Sequence, residues 1–393
     1  MATTLPLKRE LAFEYGELAP LSPLVRRIVA RNPSPYTLHG TGTYVIGRGR
    51  VAVIDPGPDD AAHFDALVAS LAGETVTHIL VTHTHLDHSP LARPLAQRTG
   101  APVYASARTA RIGMKPPGEA GADFNFVPDV RLADGERIHG EGWTVEAVHT
   151  PGHTSNHLCY ALREERLLFT GDHVMGWSTS VVSPPDGDMG AYVASLEKLL
   201  ARDDQRYWPT HGPAIEQPHE LVRAFIAHRR EREASILDAL ARGPSDIDGL
   251  VARIYVGLDE RLVRAAGRSV LAHLIDLHRR GVVACGDARR DLPPHLTRGA
   301  RRVRQTLMRP GHPARPPGPA RSGPGPAPWW LAPVPAWRGC RCVCIPPAAG
   351  PAGRRGCGPR AAPPPRRGAA QCPHGRRSGG ACWRPGAGCR AAA

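Results

Sequence analysis

The sequence predicts an α/β layered fold, then a small helical domain, then a tail without structure. Three observations carry this. Up to about residue 215, short apolar runs rich in branched side chains alternate with segments of helical period. From 217 to 288 the pattern is helical and charged. Beyond 290 neither period survives: residues 291–393 hold 21 of the 41 prolines and seven of the nine cysteines. That leaves too little apolar content to offset the entropy of ordering.

Taken in order, Met1–Leu18 mixes charge with apolar residues and has no signal-peptide core. No apolar run reaches the length of a membrane span, so no membrane partner is expected. The chain turns at Asn32-Pro33-Ser34-Pro35. Gly42–Gly47 and Val51–Asp55 read as a hairpin across a Gly-Arg-Gly-Arg turn. Ala61–Leu71, with Phe64, Leu67, Val68 and Leu71 at helical spacing, reads as a helix stopped near Gly73. Leu91–Thr99 reads as another, with Ser89 as N-cap, Pro90 as first residue and Gly100 as stop. Ala101–Ala105 and Trp143–His149 read as strands, and His157–Ala161 with Arg166–Thr170 as a second hairpin. Glu220–Ala241, Asp246–Ile254 and Asp259–Arg280 have helical spacing, and Val282–Cys285 reads as a short wing strand.

The chemistry concentrates at one strand exit. Ile79-Leu80-Val81-Thr82, too short and too branched for a helix, runs into His83-Thr84-His85-Leu86-Asp87-His88. An H-x-H-x-D-H string is expected by chance only about 0.002 times in a chain of this composition, so it is read as a site rather than a polar loop. Imidazole nitrogen and carboxylate oxygen suit borderline divalent metals. Two metals need more ligands than this string holds, and the complement follows. His153 lies in Thr150-Pro151-Gly152-His153-Thr154, Asp172 ends Leu167–Asp172, and His211 lies in Pro209-Thr210-His211-Gly212-Pro213. Each stands where a strand-like run ends.

In the order and spacing of these motifs the chain resembles the metallo-β-lactamase superfamily over residues 20–215. Gly171-Asp172-His173-Val174-Met175-Gly176-Trp177, His228-Arg229-Arg230-Glu231-Arg232-Glu233 and the span through Gly281 narrow the resemblance to the β-lactamase-like protein 2 family. It implies an αββα sandwich over 1–216 and a winged-helix-like domain over 217–288, leaving 289–393 as a disordered tail. It also implies His83, His85 and His153 on one metal, Asp87, His88 and His211 on the other, and Asp172 bridging, with Asp87 and Asp172 as the catalytic carboxylates. Asp55 is expected to support the metal loop. His149, His173 and Trp177 are expected to support the site or face the substrate. Two zinc ions are expected, since every ligand is N or O, with manganese or iron left open.

A dinuclear centre of this kind implies a hydrolase. Water shared by two cations falls from a pKa of 15.7 to about 7, roughly 12 kcal/mol towards a bridging hydroxide that attacks carbonyl carbon or phosphorus. The resemblance points first to phosphodiester cleavage of single-stranded RNA and second to thioester hydrolysis of the glyoxalase II kind, a small-molecule ester or thioester substrate. A non-catalytic nucleic-acid-binding protein is the third reading, against which an intact set of seven ligands argues. β-Lactam hydrolysis ranks low because true β-lactamases lack an aspartate at the Asp172 place. The long insertion of RNA 3′-processing nucleases is also missing, with 38 residues between Asp172 and His211.

The net charge of +14 does not by itself indicate nucleic acid. Residues 291–393 carry 18 Arg and one acid, while 1–290 hold 32 basic and 35 acidic residues, a net of −3. Arg261, Arg264 and Arg268 are read as a solvated helix face. Cys159 and Cys285, alone in that body, support no disulfide framework, which suits a cytoplasmic protein. Cys340, Cys342 and Cys344 lack a zinc-ribbon partner set. The tail's Arg-Pro-Gly-Ala-Cys-Trp mixture also fits a GC-rich reading frame translated out of register, and a chain cut after Arg290 is expected to keep fold, metal and activity.

Overall fold

The computed structural model describes residues 4–107, 121–123, 125–287 and 340–344. A seven-stranded sheet takes the first part of the chain in sequence order: β1 (Ala19–Pro20), β2 (Val25–Val29), β3 (Gly42–Ile46), β4 (Arg50–Ile54), β5 (Thr75–Leu80), β6 (Val103–Ser106) and β7 (Val130–Leu132). β1 to β4 are antiparallel, with Val45 opposite Val53 in the expected hairpin. β4 to β7 are parallel. Parallel neighbours need crossovers: α1 (Ala61–Ser70) joins β4 to β5, and α2 (Ala92–Thr99) joins β5 to β6.

A second sheet of five strands follows: β8 (Arg137–Gly140), β9 (Trp143–His149), β10 (Leu158–Leu162), β11 (Leu167–Gly171) and β12 (Arg206–Pro209), in the order β12-β11-β10-β9-β8. Only β11 and β12 are parallel, joined across α3 (Met189–Leu200). Tyr44, Ile46, Ile54 and Leu80 of the first sheet meet Val145, Tyr160, Phe169 and Trp208 of the second in one buried layer. α1 and α2 cover the outer face of the first sheet through Leu67 and Leu95. α3 and α4 (Pro218–Ala241) cover the second through Tyr192, Leu196 and Phe225. This is the expected αββα sandwich.

Strand direction places the site. β4 and β5 end at the same edge because they are parallel. β9 and β11 are each antiparallel to β10, so they share a direction, and β12 follows β11. Asp55, His83, His153, Asp172 and His211 therefore leave strands at common edges, where open α/β sheets bind ligands.

Two expectations need correction. Ser89 does not cap α2: the N-cap is Leu91, without a side-chain bond, and the Ser89 hydroxyl donates to the His85 carbonyl at 3.2 Å. Ser89 tightens the histidine loop instead. Nor is 289–393 wholly outside the core. After α5 (Ile247–Ile254), α6 (Val263–Arg279) and β13 (Val283–Asp287), the segment Cys340–Cys344 forms β14, antiparallel to β13 with Cys342 opposite Cys285. Cys342 is disulfide-bonded and 4% exposed, among Ile236, Leu250, Leu274 and Leu277. Its N–H and C=O also bond Ser245 at 2.8 and 3.2 Å. The alternating Cys-Arg-Cys-Val-Cys pattern was present in the sequence, but the proline around it hid it. Residues 288–339 and 345–393, and with them the out-of-register reading, lie outside the described residues.

Removing everything after Arg290 is accordingly expected to cost stability, about 2 kcal/mol or more for lost burial and ladder bonds. Thermal melts check this: the shortened chain should unfold at lower temperature yet keep its metal. Superimposable melts would leave β14 without a structural role.

The α4–α6 contact carries a pH dependence. His273 is 1% exposed, and neither ring nitrogen has a hydrogen-bond partner among the described residues. Burial first, then Arg229, Arg232, His228 and Arg280, brings its pKa to about 3. The folded-state value lies below the unfolded one, so its contribution is present above pH 6.5 and is lost as pH falls towards 3. Between pH 6.5 and 5.5 it removes about 1 kcal/mol. In urea melts, a His273→Phe variant should show a shallower loss over that unit than the parent chain.

Candidate metal centre

Six of the seven predicted ligands lie in turns that follow strands, and Asp172 directly follows the last residue of β11. Gly152, at φ +145, makes the His153 turn, and a Cβ there would stand 2.3 Å from the Tyr192 Cα. No L side chain fits. The seven residues fall into two groups, His83, His85, His153 and Asp172, and Asp87, His88 and His211. Within each, one ligand atom per residue lies within 4.8 Å of all the others.

The nitrogens converge. His83 Nε2 is 2.9 Å from His85 Nδ1, which is 3.1 Å from His153 Nε2. Asp172 touches both groups: Oδ2 is 3.7 Å from His153 Nε2 and 3.6 Å from His88 Nε2, and Oδ1 is 3.3 Å from His211 Nε2. His211 Nε2 is also 3.2 Å from Asp87 Oδ2. Despite this proximity, His88 Nε2, His211 Nε2, Asp87 Oδ1 and Asp172 Oδ1 are buried without a well-directed hydrogen bond among the described residues. They stand among ligand atoms that lie within 4.8 Å of one another. A divalent cation in each group fits that donor set.

The outer nitrogens are held. His83 Nδ1 lies 3.1 Å from the Thr82 hydroxyl, His88 Nδ1 2.8 Å from Asp55 Oδ2, His153 Nδ1 2.6 Å from the Val181 carbonyl and His211 Nδ1 3.1 Å from the Gly40 carbonyl. An N–H donated outward leaves the inward nitrogen as a lone pair, the tautomer a metal ligand needs. Asp55, fully buried, is the hub. It accepts from Thr82 N, the Thr82 hydroxyl, His88 Nδ1 and the Thr210 hydroxyl at 2.7–3.0 Å. These bonds tie Asp55 to the histidine loop and to the His211 turn.

Electrostatics divides the centre. Burial, with His88 nearby, holds His83 well below its usual pKa, and burial with His153 brings His85 to about 3. Burial alone would raise Asp87 and Asp172, yet His88 and His211 hold both below the usual carboxylate range. Burial alone would lower His88 and His211, yet Asp87 and Asp172 raise both, with Asp55 adding to His88. His83 and His85 therefore offer neutral imidazoles, whereas His88 and His211 hold protons that a cation would displace.

The remaining expected residues separate. His149 stands off the cluster, its Nε2 3.2 Å from the Ser155 carbonyl. His173 is fully buried, and burial with His153 brings it to about 3. It packs on Tyr192 at 4.8 Å and does not face solvent. Trp177 is 5% exposed, lies against the Gly212 turn and carries Arg9 at 5.8 Å over its ring. His157 was missed. It is fully buried, its Nδ1 is 2.9 Å from the Thr150 hydroxyl, and its Nε2 accepts from Asp172 N at 3.2 Å. The only signal was a second histidine four residues after His153.

Comparison with known proteins decides the family. The metallo-beta-lactamase superfamily pattern matches residues 36–211, and a beta-lactamase-associated winged helix domain matches 247–291. The chain is 34% identical over 273 residues to a beta-lactamase-like protein 2 homolog of Drosophila melanogaster, covering 66% of this chain and 90% of that protein. It belongs to the metallo-β-lactamase superfamily. An atrochrysone carboxyl ACP thioesterase of Aspergillus fumigatus is 35% identical over 233 residues, 58% of this chain and 68% of that one. A metallo-beta-lactamase family protein of Thermus thermophilus shares the fold, with TM-score 0.56 and 24% identity over 68% of this chain and 97% of that one. With this superfamily membership and its His/Asp cluster, the protein is a metal-dependent hydrolase. No helix among the described residues is long and apolar enough to cross a membrane.

Proposed function

We propose that the seven residues hold two divalent cations, zinc by ligand type, and that the enzyme hydrolyses thioesters. Bound there, the cations would lower the pKa of a shared water to about 7 and polarise the scissile carbonyl. Asp172 reaches both groups and fixes their separation. Asp87 and Asp172 stay ionised and accept rather than donate. One observation carries the choice of substrate. Both carboxyls of the ligand groups are held below the usual carboxylate range, so neither is raised into the range of a general acid. A thiolate leaving group, with a pKa near 8.5, departs without a proton, whereas the alkoxide released from RNA needs one. Leu86, exposed between ligands, offers an apolar contact for an acyl chain. The thioesterase named among the relatives fits the same chemistry.

RNA cleavage is the second reading, supported by the winged-helix match and the exposed Arg264. Against it, Arg268 is engaged by the Ser183 hydroxyl at 2.6 Å rather than free for a strand. Arg261's side chain lies outside the described residues. We read residues 1–216 as the catalytic domain and 217–288 as the winged-helix-like domain.

The test is one assay of metal-loaded full-length protein against S-lactoylglutathione, an acyl-pantetheine thioester and labelled single-stranded RNA, each beside Asp172→Ala. Thioester turnover that Asp172→Ala abolishes is expected. RNA cleavage abolished by the same change, without thioester turnover, would overturn the proposal in favour of a nuclease.

A further inference from the structure

Segment 180–188 lies between the His153 turn and the C-terminal helices, and both sides hold it. On the inner side, the Val181 carbonyl accepts from His153 Nδ1 at 2.6 Å. Asp188 N donates to the Gly152 carbonyl at 2.9 Å, and the Ser155 N–H and hydroxyl donate to Asp186 at 3.2 and 2.5 Å. On the outer side, Arg229 of α4 donates to the Ser180 carbonyl at 2.6 Å, and Arg268 of α6 to the Ser183 hydroxyl at 2.6 Å. Arg279 of α6 pairs with Asp188. Arg229 is only 5% exposed, with its guanidinium 5.2 Å over the Tyr192 ring.

The two adjacent carbonyls are therefore pulled apart, Ser180 towards Arg229 and Val181 towards His153. A carbonyl orients a ligand only as firmly as its own peptide unit is held, and outer partners of this kind set metal affinity. We propose that Arg229, assisted by Arg268, is a positioning residue for the His83/His85/His153 pocket: the helical domain grips segment 180–188, whose Val181 carbonyl aims His153. The inference rests on the reading of His153 as a metal ligand.

Zinc titration of metal-free protein against a chromophoric chelator tests it by resolving the binding steps. His153→Ala identifies the step that depends on this pocket. Arg229→Met is expected to weaken that same step roughly tenfold or more, leaving the other within about twofold. Arg229→Lys, which keeps a donor, should recover part of the loss. Arg268→Met and Ser183→Ala should give a smaller shift in the same step, and they carry the test if Arg229→Met does not fold. Wild-type affinity in all of these variants, or equal weakening of both steps, would overturn the inference. If His153→Ala itself changes neither step, the ligand assignment fails instead.

Discussion

Asp172→Ala is expected to abolish hydrolysis and to lower the metal content of both pockets. Asp172 lies within 3.7 Å of nitrogens from both groups. Its removal takes a charge from each, leaving His211 with Asp87 alone and His88 with Asp87 and Asp55. Each metal of a two-metal site contributes several kcal/mol to transition-state charge, so the loss of rate is on the order of a thousandfold or more. Asp172→Asn keeps the shape and loses the charge, and should fall between parent and alanine in metal affinity. Thioester turnover and metal analysis on the same preparations check both statements. An Asp172→Ala protein that is fully loaded and active would remove the residue from the centre.

The second large effect is expected at Asp55, which does not face the centre. Alanine there leaves a buried imidazole N–H, a backbone N–H and two hydroxyls without their acceptor. Breaking a buried charged network in this way costs about 3–5 kcal/mol. Freed from Asp55, His88 also loses its orientation, and the affinity of the Asp87/His88/His211 group should fall roughly 10- to 100-fold. Thermal melts of the metal-free protein read the first effect and metal titration the second. An unchanged melting temperature in Asp55→Ala would show that these bonds are replaceable.

All seven proposed ligands were legible because each sits in a short motif directly after an apolar run, and strand exits aim side chains into a cleft. Asp55 was legible for the same reason. What holds the ligands was harder to read. Val181 and Gly40 act through carbonyl oxygens, which any residue type supplies, and His157 looked like the first residue of a strand. β2 was masked by Arg26 and Arg27; the latter is 5% exposed and donates to the Gly212 carbonyl. α3 carries its buried face on Met189, Tyr192, Leu196 and Leu199, but the Pro184-Pro185-Asp186-Gly187 run before it and Gly190 inside it read as loop. β14 was illegible for another reason. Its partner lies 53 residues away, between Asp287 and Cys340, and no local pattern specifies so distant a pairing.

One chain is expected to hold two adjoining cation pockets that share Asp172. Metal analysis of purified protein, after reconstitution with zinc and removal of the excess, tests it most directly. Two ions per chain are predicted in the parent, with both weakened by Asp172→Ala. One ion per chain in the parent, unaffected by that change, would mean that Asp172 bridges no second pocket.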